Sequence, residues 1–310
     1  MTRRFIVSGA LLAALAAASP AQAEWSKLLT PAELQALAAS REIDIIDIRA
    51  AEPGKPDEKG KVAPNYAAGH IPGSVSAPYG SWRGTEQNPG LRLTDDALSA
   101  RLASAGLEPG DPVVIVYEGA DQTDFGAAAR VYWTLKSAGF EEIAILNGGL
   151  AEWRRAGLPL TTDRTAPTPT EVTARLSEQW SVTREEIHAS IGASDAPTLI
   201  DARPLKQHLG QEKHKLAKAA GAIEGARSVP HSTFFDGEAS VTLSPEKVRE
   251  WAAANAPGAD ETVVTYCNTG HWAATDWFAL SEIAGLPDVR MYPESMVDWT
   301  NAGLPVVTPK

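Results

Sequence analysis

Short apolar runs recur along this chain, separated by polar stretches that start helices. Ile45-Ile46-Asp47-Ile48, Val113-Val114-Ile115-Val116-Tyr117, Leu199-Ile200-Asp201 and Val263-Val264-Thr265-Tyr266 are nearly continuous rather than alternating. That is the pattern of short strands buried on both faces of a parallel sheet. Between them lie helix starts. Thr30 and Thr183 each precede a Glu three residues on (Glu33, Glu186), the capping box in which a hydroxyl and a carboxylate satisfy otherwise orphaned N–H groups. Leu93-Thr94-Asp95-Asp96 and Leu243-Ser244-Pro245-Glu246 give two more.

These signals occur twice in the same order, the mark of an internal duplication. Asp47-Ile48-Arg49 matches Asp201-Ala202-Arg203, and Gly69-His70-Ile71-Pro72-Gly73 matches Gly221-Ala222-Ile223-Glu224-Gly225. Trp153 to Pro159 matches Trp299 to Pro305. The fold class is therefore α/β, with two tandem domains, each a mostly parallel sheet flanked by helices on both faces. The expected boundaries are 24–160 and 171–310, joined by a Thr- and Pro-rich linker over 161–170. Residues 53–63 and 208–220 read as solvated loops, the second bordering the mouth of any site in its domain.

Residues 1–23 carry Arg3-Arg4, an apolar stretch to Ala18 and an Ala21-Gln22-Ala23 ending, a secretory signal with its cleavage site. This predicts a periplasmic or secreted protein with no membrane association after cleavage. Arg3-Arg4 leaves the choice between general and twin-arginine export open. The net charge of −11 becomes more negative once that segment leaves, which argues against nucleic acid or anionic membrane partners. A single cysteine, Cys267, allows no internal disulfide.

Cys267 stands where a strand stops at Asn268-Thr269-Gly270 and a helical stretch follows. Small buried apolar residue is the ordinary role of a lone cysteine. A polar turn with a permissive glycine suits an anion held by backbone N–H groups instead, and a helix N-terminus can lower a thiol from about 8.5 into the range of about 3.5–7.5. Expected contributors are the backbone from Asn268 through Thr269, Gly270, His271, Trp272 and Ala273. Arg227 is a candidate substrate cation. His271 is a candidate to lower the thiol pKa or to donate to a substrate. The first-half residue aligned with Cys267 is Glu118, in an acidic, longer loop ending at Asp124.

The repeated Asp-x-Arg strand end, Gly-His-Ile-Pro-Gly-Ser, the strand-Cys-loop-helix and the closing Trp-x-x-x-Gly-Leu-Pro together resemble the tandem-domain rhodanese family of sulfurtransferases, across nearly all of the chain after residue 23. The resemblance implies a catalytic C-terminal domain and an inactive N-terminal copy. It implies that Cys267 takes sulfur from a donor such as thiosulfate, becomes a persulfide, and passes the sulfur to cyanide or a thiol, such as that of a redox protein. It implies neither metal nor organic cofactor. Asn268 and Thr269 replace the basic residues of the thiosulfate pattern, and Asn268-Thr269-Gly270 also departs from the Gly-Ser-Gly of 3-mercaptopyruvate-specific relatives. A further family arginine falls at Gln207, beside Lys206. Arg203 is either a substrate cation or, by preference, a structural partner of Asp201.

Other readings are weaker. The phosphatases of this fold need an arginine where Ala273 stands. No histidine shows metal-ligand spacing, and no glycine-rich nucleotide fingerprint occurs. The remaining alternative is an exported, non-catalytic binding or scaffold module.

Overall fold

A computed structural model describes residues 25–237, 240–255, 258 and 261–309, so the 1–23 segment lies outside the described residues. The first domain runs β1 (Leu28–Leu29), α1 (Pro31–Ser40), β2 (Asp44–Asp47), β3 (Val75–Ser76), α2 (Asp95–Ala105), β4 (Val113–Val116), α3 (Gln122–Ser137), β5 (Ile143–Leu146) and α4 (Gly149–Arg155). The second runs α5 (Arg184–Ser190), β6 (Thr198–Asp201), α6 (Leu205–His208), β7 (Arg227–Ser228), α7 (Pro245–Asn255), β8 (Val263–Tyr266), α8 (Trp272–Trp277), β9 (Val289–Met291) and α9 (Ser295–Asn301). All strand pairs are parallel, in the orders β1-β5-β4-β2-β3 and β7-β6-β8-β9. Both capping boxes form, at Thr30 and at Thr183.

Strand side chains alternate between faces. Ile45, Val114 and Val116 join a core under α1 and α4, while Leu199, Val264 and Tyr266 join one under α5 and α9. The opposite faces, through Ile46, Val113 and Ile115 and through Ile200 and Val263, belong to a single apolar core shared by the two domains. Its centre is the packing of α3 on α8. Helix α3 is buried along most of its length, as a helix enclosed between two sheets must be, with Arg130, Thr134 and Ser137 buried among its apolar residues. Gly126 lets it close on the second domain, because a Cβ there would overlap the His271 ring and carbonyl.

Ladder register corrects the alignment of the two halves. Asp47 pairs with Val116 and Asp201 with Tyr266, so Val116 corresponds to Tyr266 and the residue in the place of Cys267 is Tyr117 rather than Glu118. Leu150 N–H donates to Tyr117 O just as Met296 N–H donates to Cys267 O. The two loops are also equal in length, since α3 begins at Gln122 and α8 at Trp272, the same distance beyond. Sequence similarity matched Tyr117 with Tyr266 because both are aromatic, whereas backbone hydrogen bonds set the true register.

Residues 171–180, assigned by composition to the second domain, run along the first. Ala174 N–H donates to Ser99 Oγ at 3.0 Å, Ser177 N–H to Ser137 O at 2.7 Å, and Trp133 Nε1 to Trp180 O at 3.0 Å.

Candidate active site

Cys267 follows β8 directly, and the chain around it is held almost entirely through its backbone. Its N–H donates to Ser295 Oγ at 3.0 Å, and that hydroxyl donates to Tyr292 O at 2.8 Å. Ser295 has φ 57°, a left-handed conformation that Gly149 adopts without strain at the matching place in the first domain. The carbonyls of Cys267 and Asn268 accept from Met296 and Val297 N–H, each at 3.1 Å. Those of Thr269 and Gly270 accept from the first domain: Arg83 Nη2 at 2.7 Å and Arg130 Nη1 at 3.4 Å. A peptide N–H points opposite to the carbonyl of its own unit. Anchoring these four carbonyls therefore turns the N–H groups of Asn268, Thr269, Gly270 and His271 the other way, and none donates to a protein acceptor among the described residues. The result is an open cradle of backbone donors beginning one residue after the thiol.

Cys267 is buried, and it lines a cavity of about 250 Å³. The second domain supplies Asn268, Thr269, His271, Trp272 and His214; the first supplies Tyr79, Arg83 and Thr123. A larger cavity, of about 570 Å³, lies at the other end of the first sheet beside Glu42, Asp44 and Asp111. No thiol or hydroxyl side chain lines it; burial and its acidic neighbours push Asp44 up to about 6.

His271 sits at the pocket with both nitrogens spent across the domain boundary. Tyr79 OH donates to Nδ1 at 2.8 Å, and Nε2–H donates to Thr123 O at 2.7 Å, since a carbonyl can only accept. Burial, reinforced by the Arg83 charge, pushes its pKa down to about 3. His271 is thus a neutral interdomain clamp, with no nitrogen left to act on the thiol or a substrate. Trp272 stacks on His231 at 4.9 Å, and burial lowers that imidazole to about 4. Ala273 is fully buried and its carbonyl accepts from Thr265 Oγ1 at 3.0 Å. Gly270, at φ 66°, is required: a Cβ would overlap Arg130 Nη1 and Pro293 O. Asn268 Nδ2 donates to Gln207 Oε1 at 2.8 Å, so the residue at the expected arginine position braces the loop.

Two of the expected cations are not brought to the pocket. Arg203 is buried and donates to Asp201 through Nε at 2.8 Å and to Gly221 O at 2.9 Å. Burial alone would raise Asp201, but bonds from Arg203 and His208 hold its carboxyl below the usual range. Arg227 lies exposed on the edge strand β7, outside the pocket lining. Lys206 points to solvent near Glu212, at 3.6 Å. His214 is the one contributor from the 208–220 loop; its Nδ1 accepts from Leu216 N–H, and burial lowers its pKa.

Tyr79, Arg83, Thr123 and Arg130 escaped the sequence reading because they belong to the copy without a thiol. A signal existed: the Pro78-Tyr79 turn matches Pro230-His231, and both begin short 3₁₀ turns that lean on a loop after a strand.

The fold is thus a pair of α/β domains sharing one core, with a single cysteine cradle completed by the thiol-free copy. The rhodanese-like domain family model matches twice, over residues 30–156 and 183–302, and the chain belongs to that sulfurtransferase family. It is 27% identical over 278 residues to the thiosulfate sulfurtransferase of Azotobacter vinelandii, covering 88% of this chain and 94% of that one. It is 28% identical to the 3-mercaptopyruvate sulfurtransferase of Escherichia coli K12, covering 86% and 92%. Among solved structures, the anaerobic ergothioneine biosynthesis enzyme from Chlorobium limicola, in complex with trimethyl histidine, superposes with a TM-score of 0.74 at 20% identity, covering 92% of this chain and 70% of that one. This last likeness is one of fold.

Proposed function

We propose that this protein moves a sulfur atom from a small anionic donor, the sulfane sulfur of thiosulfate or the thiol sulfur of 3-mercaptopyruvate, through a Cys267 persulfide to cyanide or a thiol. The thiolate attacks the donor's outer sulfur, a new S–S bond forms, and the donor's old bond to that sulfur breaks with its electron pair leaving on sulfite or pyruvate enolate. The acceptor then attacks the outer persulfide sulfur and returns Cys267 as thiolate. The observation that carries this reading is the open cradle: the N–H groups of Asn268 to His271, without an acceptor among the described residues, begin one residue past a thiol that lines a cavity. Such donors suit the charge on a persulfide or on departing oxyanions.

Intact mass spectrometry after brief exposure to each donor tests it. The expected result is the gain of one sulfur by the native protein and none by Cys267→Ser. No gain from either donor would overturn it, and the donor that loads faster identifies the preferred substrate. The 1–23 segment supports export with cleavage after Ala23. N-terminal sequencing of the protein from a periplasmic fraction checks this: Glu24 first is the expected reading, and an intact Met1 would refute it.

A further inference from the structure

We infer that Arg83, supplied by the first domain, is the group that recognises negative charge in the Cys267 pocket; where that charge belongs to the sulfur donor, the inference rests on the reading above. Arg83 lines the cavity together with Cys267. Its Nε donates to Pro89 O at 3.1 Å, its Nη2 to Thr269 O at 2.7 Å, and its guanidinium lies 5.1 Å over the Tyr79 ring. These contacts fix the plane of the group, and among the described residues Nη1 has no acceptor and no carboxylate pairs with the guanidinium. A positioned, half-buried guanidinium with unspent donors and no counterion is complementary to a carboxylate or sulfonate oxygen.

Three other cations nearby are committed elsewhere, and Lys215 is exposed and does not line the cavity. Arg203 is bound to Asp201, Arg130 is buried against Gly90 O and Gly270 O, and Lys213 donates to Ala217 O at 2.6 Å. Burial, with the charges of Lys215 and Arg83, pushes the His214 imidazole down and so disfavours its charged form. Two-fold correspondence sharpens the point. Ser76 matches Ser228 in the ladders, which places Phe235 at the position of Arg83. Phe235 meets Phe125 of the thiol-free side edge-on at 5.8 Å. The approach to the tyrosine loop is thus apolar, whereas the approach to the cysteine loop is cationic.

The test compares alkylation of Cys267 by iodoacetate, an anion, and iodoacetamide, its neutral isostere. In both cases thiolate sulfur bonds to the methylene carbon and iodide leaves with the electron pair. Because the same thiolate attacks both reagents, their rate ratio cancels any change in thiolate fraction or loop mobility that loss of the Thr269 contact causes. Arg83→Gln is expected to lower the iodoacetate-to-iodoacetamide ratio about tenfold, in line with loss of one charge-assisted contact. Arg83→Lys, which keeps the charge, should retain most of it. In the native protein, thiosulfate or sulfite should protect against iodoacetate more strongly than against iodoacetamide. An unchanged ratio in Arg83→Gln, or no selective protection, overturns the inference. A fall in the ratio alongside no sulfur uptake by native Cys267 would leave the anion site standing and sink the transfer reading instead.

Discussion

The two loops that follow β4 and β8 have the same length, the same strand before them and a helix after them, yet one is open and the other is filled by its own side chain. In the first domain, Asp124 Oδ2 accepts from Gly119 N–H at 2.8 Å and from Ala120 N–H at 3.2 Å. Register places those amides opposite Thr269 and Gly270, and places Asp124 opposite Ala274. A tethered carboxylate thus sits where the second domain leaves room for a foreign anion. Tyr117, in the cysteine's place, buries its ring, and its hydroxyl accepts from Gly148 N–H at 3.1 Å. A cradle of backbone donors is therefore a property of the fold in both halves; the residues inside it decide whether it binds itself or a ligand.

Placing a carboxylate in the live loop should break that contrast most severely. Ala274→Asp is expected to occupy the Thr269 and Gly270 amides and to cut sulfur uptake by Cys267 about a hundredfold or more. Mass spectrometry reads the loss, and circular dichroism confirms the fold. Uptake at the native rate would show that the open amides are not what the donor needs.

A smaller effect should follow from removing the first domain's grip on the loop. Arg130 is buried, is pushed down to about 10 by desolvation, and has no paired carboxylate among the described residues. Arg130→Met strands the Gly90 and Gly270 carbonyls, at a cost of about 1–3 kcal/mol in denaturant unfolding. It should also slow sulfur uptake about tenfold, because Gly270 O loses the partner that turns the next N–H toward the cavity. Reduced stability with full uptake would make Arg130 a purely structural residue.

The effect expected to be smallest near neutral pH concerns the clamp. His271 titrates near 6.5 when unfolded and near 3 when folded, so below pH 6.5 the unfolded chain binds more protons. Stability should fall as pH drops from about 6.5 towards 3, with His271 contributing at most about 1.4 kcal/mol per pH unit. His271→Gln should flatten urea-derived stability over that window; an unaltered slope would show that the imidazole protonates freely in the folded state.

The sequence by itself determined the duplication, the alternation of buried strands with capped helices, and the strand end that carries Cys267. Those features are local. Continuous apolar runs, capping boxes and turn glycines act over a few residues, so they are legible one segment at a time. Composition did not show that residues 171–180 lie on the first domain, because nothing in the mixed polar and apolar stretch from Glu171 to Trp180 states which surface it crosses. Only the tertiary structure decided the register that sets Tyr117 opposite Cys267, since aromatic similarity is a weaker guide than a hydrogen-bonded ladder. It also decided who serves the cysteine. Arg83 and Arg130 reach the Thr269 and Gly270 carbonyls from far back in the chain. The shared core, formed as α3 packs on α8, brings them there, and a contact made by domain packing leaves no periodicity or spacing in the sequence to announce it.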